Sequence, residues 1–304
     1  MANVATAARF PSRCAAMNPS VGSVSANRIE VRVDRATLLP GRAWCADNPR
    51  ALVAIIHGLG EHSGRYAALA SELVKARYTV VSLDLPGFGE SPGPRGDMKS
   101  WIDVREQAIP AMFSASRGLP GQPADLPHLL VGHSMGALMA LDYALVHPRN
   151  IVGVVASAPP LNAAMPPWWK LAMANVARVT APAAGFPHGL EEAAISRDQE
   201  VMRARRDDPL MHDRISPRLY FAFEEARQRV MRDARRLAVP ALLLHGAADR
   251  ITDPKGTLEF CGAAPHEKAR YITYRDAYHE IFNDLGREQV IRDMIGWFDL
   301  LLVV

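Results

Sequence analysis

The sequence has little cysteine and no long apolar run. Its three cysteines, Cys14, Cys45 and Cys261, lie far apart and are odd in number, so they predict neither a disulfide framework nor a zinc site. We therefore expect a reducing, cytoplasmic compartment. The longest apolar stretches have only the length of a β-strand, so we expect no membrane-spanning helix.

An excess of one charge is also lacking. The formal net charge of +3 gives no general reason to expect nucleic acid as a partner. A chain of 304 residues, 49% of them hydrophobic, can bury a full core. Residues 1–27 contain no acid and no apolar run of the kind that a signal peptide needs. We predict a disordered tail there, and a transit peptide of the same composition is the alternative.

Apolar periodicity predicts how the remaining chain folds. Residues 28–34 and 37–45 predict an antiparallel hairpin. Segments with helical spacing separate the strands predicted after it, most of which are continuous apolar runs typical of strands buried on both faces. These strands are residues 52–56, 78–83, 129–131, 151–156, 241–244 and 270–274. Such alternation predicts an α/β fold with a mostly parallel sheet and helices on both faces.

One long segment interrupts the alternation. Residues 159–216 contain no convincing strand and have the pattern of short helices joined by loops. We interpret this segment as a helical cap over the carboxyl edge of the sheet. It divides the core into a first part, residues 28–158, and a second part, residues 217–304.

A serine stands between two glycines where an apolar run meets a helical pattern, in the string Gly132-His133-Ser134-Met135-Gly136. A nucleophile on such a sharp turn projects its hydroxyl above the sheet, and the glycines let the neighbouring backbone approach closely. Ser134 is therefore the candidate nucleophile. On the string alone, a serine that only caps the helix is an equal alternative.

A serine hydroxyl is a poor nucleophile near neutral pH and needs a base, which in turn needs a carboxylate to orient it. Asp249 and His279 each follow a predicted strand, as Ser134 does. The carboxyl ends of parallel strands meet at one edge, where ligands bind. The chain order Ser, Asp, His is that of hydrolases with a nucleophile elbow, so the three residues predict a catalytic triad.

Other aspartates compete for the role of the acid, namely Asp253, Asp276 and Asp284. Asp253 precedes a proline and fits better as the N-cap of a helix. Asp276 is close to His279 in sequence but on the opposite side of a turn. Asp249 is favoured because it directly follows a buried strand.

Acyl transfer also needs donors aimed at the developing oxyanion. We predict that the backbone N–H groups of Met135 and Leu59 supply them, one at the start of a helix and one in the first loop. Gly58 and Gly60 flank Leu59 and leave room for a substrate carbonyl. This chemistry requires no metal and no organic cofactor.

Four motifs lie in the predicted loops at this edge. They are His57-Gly58-Leu59-Gly60-Glu61-His62-Ser63-Gly64-Arg65-Tyr66, Gly132-His133-Ser134-Met135-Gly136, His245-Gly246-Ala247-Ala248-Asp249-Arg250-Ile251 and Tyr278-His279-Glu280-Ile281-Phe282-Asn283-Asp284. Together they resemble the monoglyceride lipase and lysophospholipase family of α/β-hydrolases. The resemblance runs from about residue 28 to the C-terminus. It implies an α/β-hydrolase fold and an ester hydrolase for single-chain lipids, with the triad at Ser134, Asp249 and His279.

The chain departs from this family at two family histidines. Where the family usually has Arg-Gly-His-Gly after the second central strand, this chain has Pro86-Gly87-Phe88-Gly89. The later Arg-Gly-His pattern appears as Arg95-Gly96-Asp97. Neither position belongs to the predicted triad.

The first part of the cap is strongly apolar. Trp168, Trp169 and Met173 are its candidate substrate-binding residues. A helix that is apolar nearly all round either packs against the main domain or docks on lipid. Both readings stay open, and the second implies peripheral membrane contact through the cap.

We therefore predict a serine ester hydrolase of the monoacylglycerol lipase type that works through an acyl-enzyme on Ser134. A lysophospholipase or a short-chain carboxylesterase on the same fold is the alternative. A non-catalytic binding protein is the alternative from another class. The oligomeric state is not predicted.

Overall fold

A sheet of eight strands forms the centre of the protein, with a buried apolar cluster on each face. A computed structural model describes residues 24–162 and 167–303. Residues 1–23, most of the predicted tail, lie outside the described residues. The strands are β1 (Asn27–Arg32), β2 (Leu38–Trp44), β3 (Ala51–Ile56), β4 (Tyr78–Leu83), β5 (His128–His133), β6 (Gly153–Ser157), β7 (Phe186–Pro187), β8 (Arg214–Ile215), β9 (Ala241–Gly246) and β10 (Ala269–Tyr274).

The helices follow the alternation that the sequence predicts. They are α1 (Ala67–Lys75), α2 (Trp101–Asp103), α3 (Ile109–Ala115), α4 (Met135–Val146), α5 (Trp168–Thr180), α6 (Gln199–Asp207), α7 (Pro217–Asp233), α8 (Pro254–Ala263) and α9 (Arg287–Leu301). A π-helical turn, Val104–Ala108, separates α2 from α3, and Pro110 then stands in the first turn of α3. In that position the missing N–H of proline costs no helical hydrogen bond.

The sheet has the strand order β1-β2-β4-β3-β5-β6-β9-β10. β1 and β2 form the predicted antiparallel hairpin, β2 is antiparallel to β4, and all pairs from β4 to β10 are parallel. The predicted α/β fold with a mostly parallel sheet is confirmed. Every residue of β3, β4, β6 and β9 is buried, which explains why these strands appear in the sequence as apolar runs.

The segment predicted to be a cap, residues 159–216, contains α5, β7, α6 and β8 and is called the cap below. β7 and β8 pair antiparallel through Phe186 and Ile215, so the expectation that residues 159–216 contain no strand is wrong in this detail. Strands of two residues are too short to produce a recognisable alternation. Among the residues that the structure describes, no helix is both long and apolar enough to cross a bilayer.

Ion pairs attach α6 to the core at its N-terminal end. Asp198 caps the helix by accepting from the backbone N–H of Glu200, and its other oxygen lies 2.7 Å from Arg287 Nη1. The neighbouring Arg197 donates through Nε to buried Asp284 at 2.9 Å. These contacts hold α6 against the loop that contains the candidate histidine.

The C-terminal end of α6 is attached by a second contact. His62 Nε2 lies 2.8 Å from Asp208 Oδ2, and His62 Nδ1 accepts from the backbone N–H of Gly64 at 3.2 Å. Since a carboxylate only accepts, His62 carries its proton on Nε2. The segment that includes α6 is therefore fixed to the core from both sides.

Candidate active site

The candidate nucleophile occupies the single residue between β5 and α4. Ser134 has φ 53° and ψ −119°, a conformation that is strained for a residue other than glycine. Its backbone N–H donates to the carbonyl of Ser157 at 2.8 Å, which ties the turn to the end of β6. The side chain is partly exposed above the sheet, as a nucleophile elbow requires.

The two glycines beside this serine are required by close backbone contacts. A Cβ atom on Gly132 would lie 2.1 Å from the carbonyl oxygen of Gly136. A Cβ atom on Gly136 would lie 2.2 Å from the carbonyl oxygen of Ile56, at the end of β3. No larger residue fits at either position without moving the backbone.

The candidate base and acid form a direct pair. His279 Nδ1 lies 2.8 Å from Asp249 Oδ2, and both side chains are buried. Because the carboxylate only accepts, the proton of the neutral imidazole is on Nδ1, which leaves the Nε2 lone pair to act as a base. His279 lines the same cavity as Ser134.

Further donors surround the carboxylate of Asp249. Its Oδ1 accepts from the backbone N–H groups of Ile251, at 2.7 Å, and Thr252, at 3.0 Å. Its Oδ2 also receives the Thr252 hydroxyl at 2.7 Å and His245 Nε2 at 3.1 Å. Burial alone would raise the pKa of Asp249, but the hydrogen bonds from His245 and His279 lower it below its ordinary value. The acid is therefore ionised near neutral pH.

The competing aspartates have other contacts. Asp253 caps α8 by accepting from the backbone N–H of Lys255 at 3.0 Å, as the sequence predicts. Asp284 accepts from the backbone N–H of Tyr278 at 2.8 Å and holds the cap. Asp276 is exposed.

The space beside the candidate nucleophile is small. A cavity of about 20 Å³ adjoins Ser134 and His279, with Leu190, Ile195 and Arg205 of the cap among its walls. A volume of that order holds about one water molecule. The space at Ser134 is therefore smaller than an ester substrate.

A polar cluster missed by the sequence analysis lines this small cavity. Glu61 Oε2 accepts from the backbone N–H of Gly58 at 3.0 Å and from the Tyr66 hydroxyl at 2.8 Å. Glu280 is held by Arg65 at 2.6 Å and lies 3.4 Å from Arg205 of the cap. The partners lie up to 215 positions apart in sequence, so no local pattern connects them.

The two carboxyls of this cluster influence each other. Burial raises the pKa of Glu280, and the neighbouring Glu61 raises it further. Two carboxyls this close cannot both ionise at low cost, so the pair retains a proton to higher pH than a solvated glutamate would. The small cavity therefore contains both hydrogen-bond donors and acceptors.

The candidate oxyanion donors belong to two neighbouring segments. Leu59 lines the small cavity in the loop after β3, and Met135 is the first residue of α4. The first N–H groups of a helix have no partner within it and lie at the positive end of its dipole. The Gly58 N–H is already engaged by Glu61, which holds the loop in shape around Leu59.

A second, apolar cavity of about 510 Å³ lies beneath α5. Two of the three candidate substrate-binding residues, Trp169 and Met173, line it together with Ala174, Ala177 and Tyr220. The third candidate, Trp168, is not among its lining residues. The volume is in the range of pockets that bind small ligands.

The outward face of α5 carries large apolar side chains. The exposed fraction is 82% for Trp168, 64% for Val176 and 80% for Val179. Other side chains of α5 line the apolar cavity, while these three face solvent.

The two departures from the family pattern have structural roles. Phe88 stacks on His212 of the cap, with ring centroids 5.1 Å apart. Asp97 accepts from the Ser216 hydroxyl at 2.6 Å and pairs with Arg218. Both replacements therefore bind the C-terminal end of the cap to the core.

Comparison with known proteins agrees with this geometry. The family described as serine aminopeptidase, S33, matches residues 47–286. Phospholipase YtpA of Bacillus subtilis is 33% identical over 254 residues, which cover 82% of this chain and 95% of the relative. The monoacylglycerol lipase of Mycolicibacterium smegmatis is 30% identical over 259 residues, covering 84% and 90%.

A solved structure extends the likeness to three dimensions. The crystal structure of Paleococcus ferrophilus monoacylglycerol lipase matches with a TM-score of 0.77 and 33% identity, covering 87% of this chain and 98% of that one. The sheet and these relatives together define an α/β-hydrolase of the lipase and esterase class. The chain belongs to the serine aminopeptidase S33 family, and the resemblance to monoglyceride lipases is confirmed.

The buried histidine of the elbow generates a prediction about acid stability. Burial and the neighbouring His279 lower the pKa of His133 from 6.5 to about 3. Between these values the unfolded chain binds a proton that the folded chain does not, so the free energy of unfolding falls as the pH falls. His133→Gln should reduce this slope by up to about 1.4 kcal/mol per pH unit, as measured by urea unfolding from pH 7 down to 4.5.

The matched control is His266→Gln, which changes an exposed histidine and should leave the slope as it is. Equal slopes in the wild type and in His133→Gln would contradict the prediction.

Proposed function

We propose that this protein is a serine hydrolase of the monoacylglycerol lipase type, which cleaves single-chain lipid esters through an acyl-enzyme on Ser134. One observation carries the proposal: a strained serine and a histidine paired with a buried aspartate line the same cavity. The name of the Mycolicibacterium relative supports the substrate class.

In the first half-reaction, His279 Nε2 accepts the hydroxyl proton of Ser134 while Oγ attacks the ester carbonyl. Asp249 stabilises the imidazolium that forms. The N–H groups of Leu59 and Met135 stabilise the oxyanion. When the tetrahedral intermediate collapses, His279 gives its proton to the departing alcohol oxygen.

In the second half-reaction, water takes the place of the alcohol. His279 removes a proton from the water, which attacks the acyl carbonyl, and the proton then returns to Ser134 Oγ as the fatty acid leaves. No metal or organic cofactor takes part in either half-reaction.

The apolar cavity under α5 supports a site for the acyl chain. His188 lines this cavity, and Leu190, two residues later, lines the small cavity at Ser134. The short segment between them therefore forms a wall between the two spaces. Displacement of that wall would let an acyl chain run from the Ser134 carbonyl site into the apolar cavity.

The polar cluster supports a site for the alcohol part of the substrate. Arg205 and the Glu61–Glu280 pair offer donors and acceptors on the other side of the small cavity. Hydroxyl groups of a glycerol moiety match such a mixed surface, whereas an apolar alcohol would leave buried polar groups unpaired.

A lysophospholipase is the second candidate. The 33% identity to a protein named phospholipase favours it specifically, and Arg205, which lines the small cavity, could pair with the phosphate of such a substrate. A short-chain carboxylesterase has less support, because a cavity of about 510 Å³ exceeds what a short acyl group fills.

We also propose that the outward face of α5 contacts membranes from the cytoplasmic side. Trp168, Val176 and Val179 are exposed on one short helix, and aromatic and aliphatic side chains in that arrangement enter the interfacial layer of a bilayer. Contact there would bring the entrance of the apolar cavity close to the lipid substrate.

Removal of the nucleophile or of the acid tests the mechanism. Ser134→Ala should abolish hydrolysis of a p-nitrophenyl ester and labelling by a fluorophosphonate, with an unchanged melting temperature. Asp249→Asn should lower kcat by about 10⁴-fold, since the imidazole loses its orienting charge.

Asp253→Asn is the matched control and should keep the wild-type kcat, because this aspartate caps α8 and accepts from Asn162 at 3.3 Å. Labelling that persists in Ser134→Ala, or equal kcat values in the two aspartate variants, would refute the mechanism. A wild-type protein that never reacts with the probe would favour a binding protein.

Filling the apolar cavity tests the acyl site. Ala177→Trp should lower kcat/KM for p-nitrophenyl palmitate by about 10-fold or more and leave the butyrate ester unaffected, because only a long chain needs the occupied volume. Ala172→Trp, at an exposed position on the same helix, is the control. The acyl site is wrong if the two variants show the same chain-length profile.

Vesicle sedimentation tests the membrane contact. A variant with Trp168→Ser and Val179→Ser should bind phosphatidylcholine vesicles at least about 10-fold more weakly than the wild type, since it loses two interfacial side chains. Leu258→Ser with Leu300→Ser removes two apolar side chains of comparable exposure on α8 and α9 and is the control. Equal losses in both variants would reject a role for α5.

A further inference from the structure

A second histidine contacts the carboxylate of Asp249. His245, in β9, is completely buried, and its Nε2 lies 3.1 Å from Asp249 Oδ2 and 3.1 Å from the carbonyl oxygen of Thr252. Both of these oxygens can only accept a hydrogen bond. The proton of the neutral ring is therefore on Nε2, and His245 is a donor to the candidate acid.

The other side of the same ring is held as well. His245 Nδ1 lies 2.8 Å from the hydroxyl of Thr257, a buried residue of α8. Since Nε2 carries the proton, Nδ1 accepts and the Thr257 hydroxyl donates. The acceptors at Nε2 fix the tautomer of His245, and the Thr257 hydroxyl, which can donate or accept, anchors the other side of the ring.

One oxygen of Asp249 consequently accepts hydrogen bonds from two imidazole rings. Its Oδ2 accepts from His279 Nδ1 at 2.8 Å and from His245 Nε2 at 3.1 Å, with the Thr252 hydroxyl at 2.7 Å. The negative charge that stabilises His279 is shared with His245. Rotation of the carboxylate would break hydrogen bonds on both rings.

From this geometry we propose that His245 is a positioning residue of the reaction: it fixes the carboxylate of Asp249 toward His279 and limits how strongly that carboxylate holds the His279 proton. The proposal rests on the function proposed above for Ser134, Asp249 and His279. His245 itself touches neither the substrate nor the reacting atoms.

Other titratable groups also face the pair. The ring centroid of His133 lies 4.8 Å from that of His279, and Glu61 and Glu280 line the same cavity. They are identical in all the variants below, so their influence on the pH profile cancels in the comparison.

The alternative is that His245 only fills the core. Replacing it would then lower stability and the yield of folded protein. The protein that does fold would show the same pH dependence of activity as the wild type. The pH profile of kcat/KM therefore distinguishes the two roles, because it reports the protonation of the free enzyme.

The test measures hydrolysis of p-nitrophenyl butyrate from pH 4.5 to 9 by the wild type, His245→Phe and His245→Gln. Phenylalanine keeps the ring shape without a donor, whereas glutamine keeps an N–H near the position of Nε2.

In His245→Phe, the acid limb of the kcat/KM profile, where activity falls as the pH is lowered, should move to higher pH by about half a unit or more. The reason is that Asp249 then holds the His279 proton more strongly. Its kcat should fall about 10-fold at neutral pH with little change in KM. His245→Gln should keep the acid limb of the wild type.

If His245→Phe does not fold, two substitutions at Thr257 provide the test instead. Thr257→Val removes the hydroxyl that anchors Nδ1, so the ring is held less firmly against Asp249, and the acid limb should shift in the same direction as in His245→Phe. Thr257→Ser keeps the hydroxyl and should not shift it.

The outcomes separate this inference from the proposed function. Identical acid limbs in the wild type and in every variant that folds, whatever their melting temperatures, would overturn the role of His245. A wild type that neither hydrolyses the ester nor reacts with a fluorophosphonate would overturn the proposed function and this inference with it.

Discussion

The contact between the backbones of Gly136 and Ile56 is the constraint on which the candidate site depends. A separation that only glycine allows brings the first turn of α4 against the end of β3. Ser134 precedes that turn, and the loop with Leu59 follows that strand. One backbone contact therefore sets how the candidate nucleophile lies relative to the segments of the two candidate oxyanion donors.

Much of this architecture could be predicted from local sequence, because strands buried on both faces must be apolar along their whole length. The runs at 52–56, 78–83 and 241–244 belong to β3, β4 and β9. Loops after parallel strands share an edge, so the order of Ser134, Asp249 and His279 already predicted that they lie together, and the structure brings His279 and Asp249 into contact. Their catalytic roles stay a prediction.

What could not be predicted depends on contacts between distant segments. The two-residue β7–β8 ladder leaves no periodic pattern, and the Glu61–Glu280 pair joins loops that no spacing rule connects. In the sequence His245 stands directly before a turn glycine, Gly246. His245 lies four positions before Asp249, and the turn between them follows a buried strand. This spacing is the signal that could have identified His245, because the turn brings its ring and the carboxylate together.

The two cap helices, α5 and α6, are attached to the core in different ways. α6 is held by two ion pairs at its N-terminal end, one of them to the buried carboxylate of Asp284, and by the His62–Asp208 contact at its other end. Loss of Arg197 would leave the buried charge of Asp284 without its partner, at a cost in stability. α5 presents its side chains to solvent and to a cavity, where most changes cost little stability. Substitutions in α5 can therefore reshape the apolar cavity without disturbing the contacts that hold α6 or the carboxyl edge of the sheet.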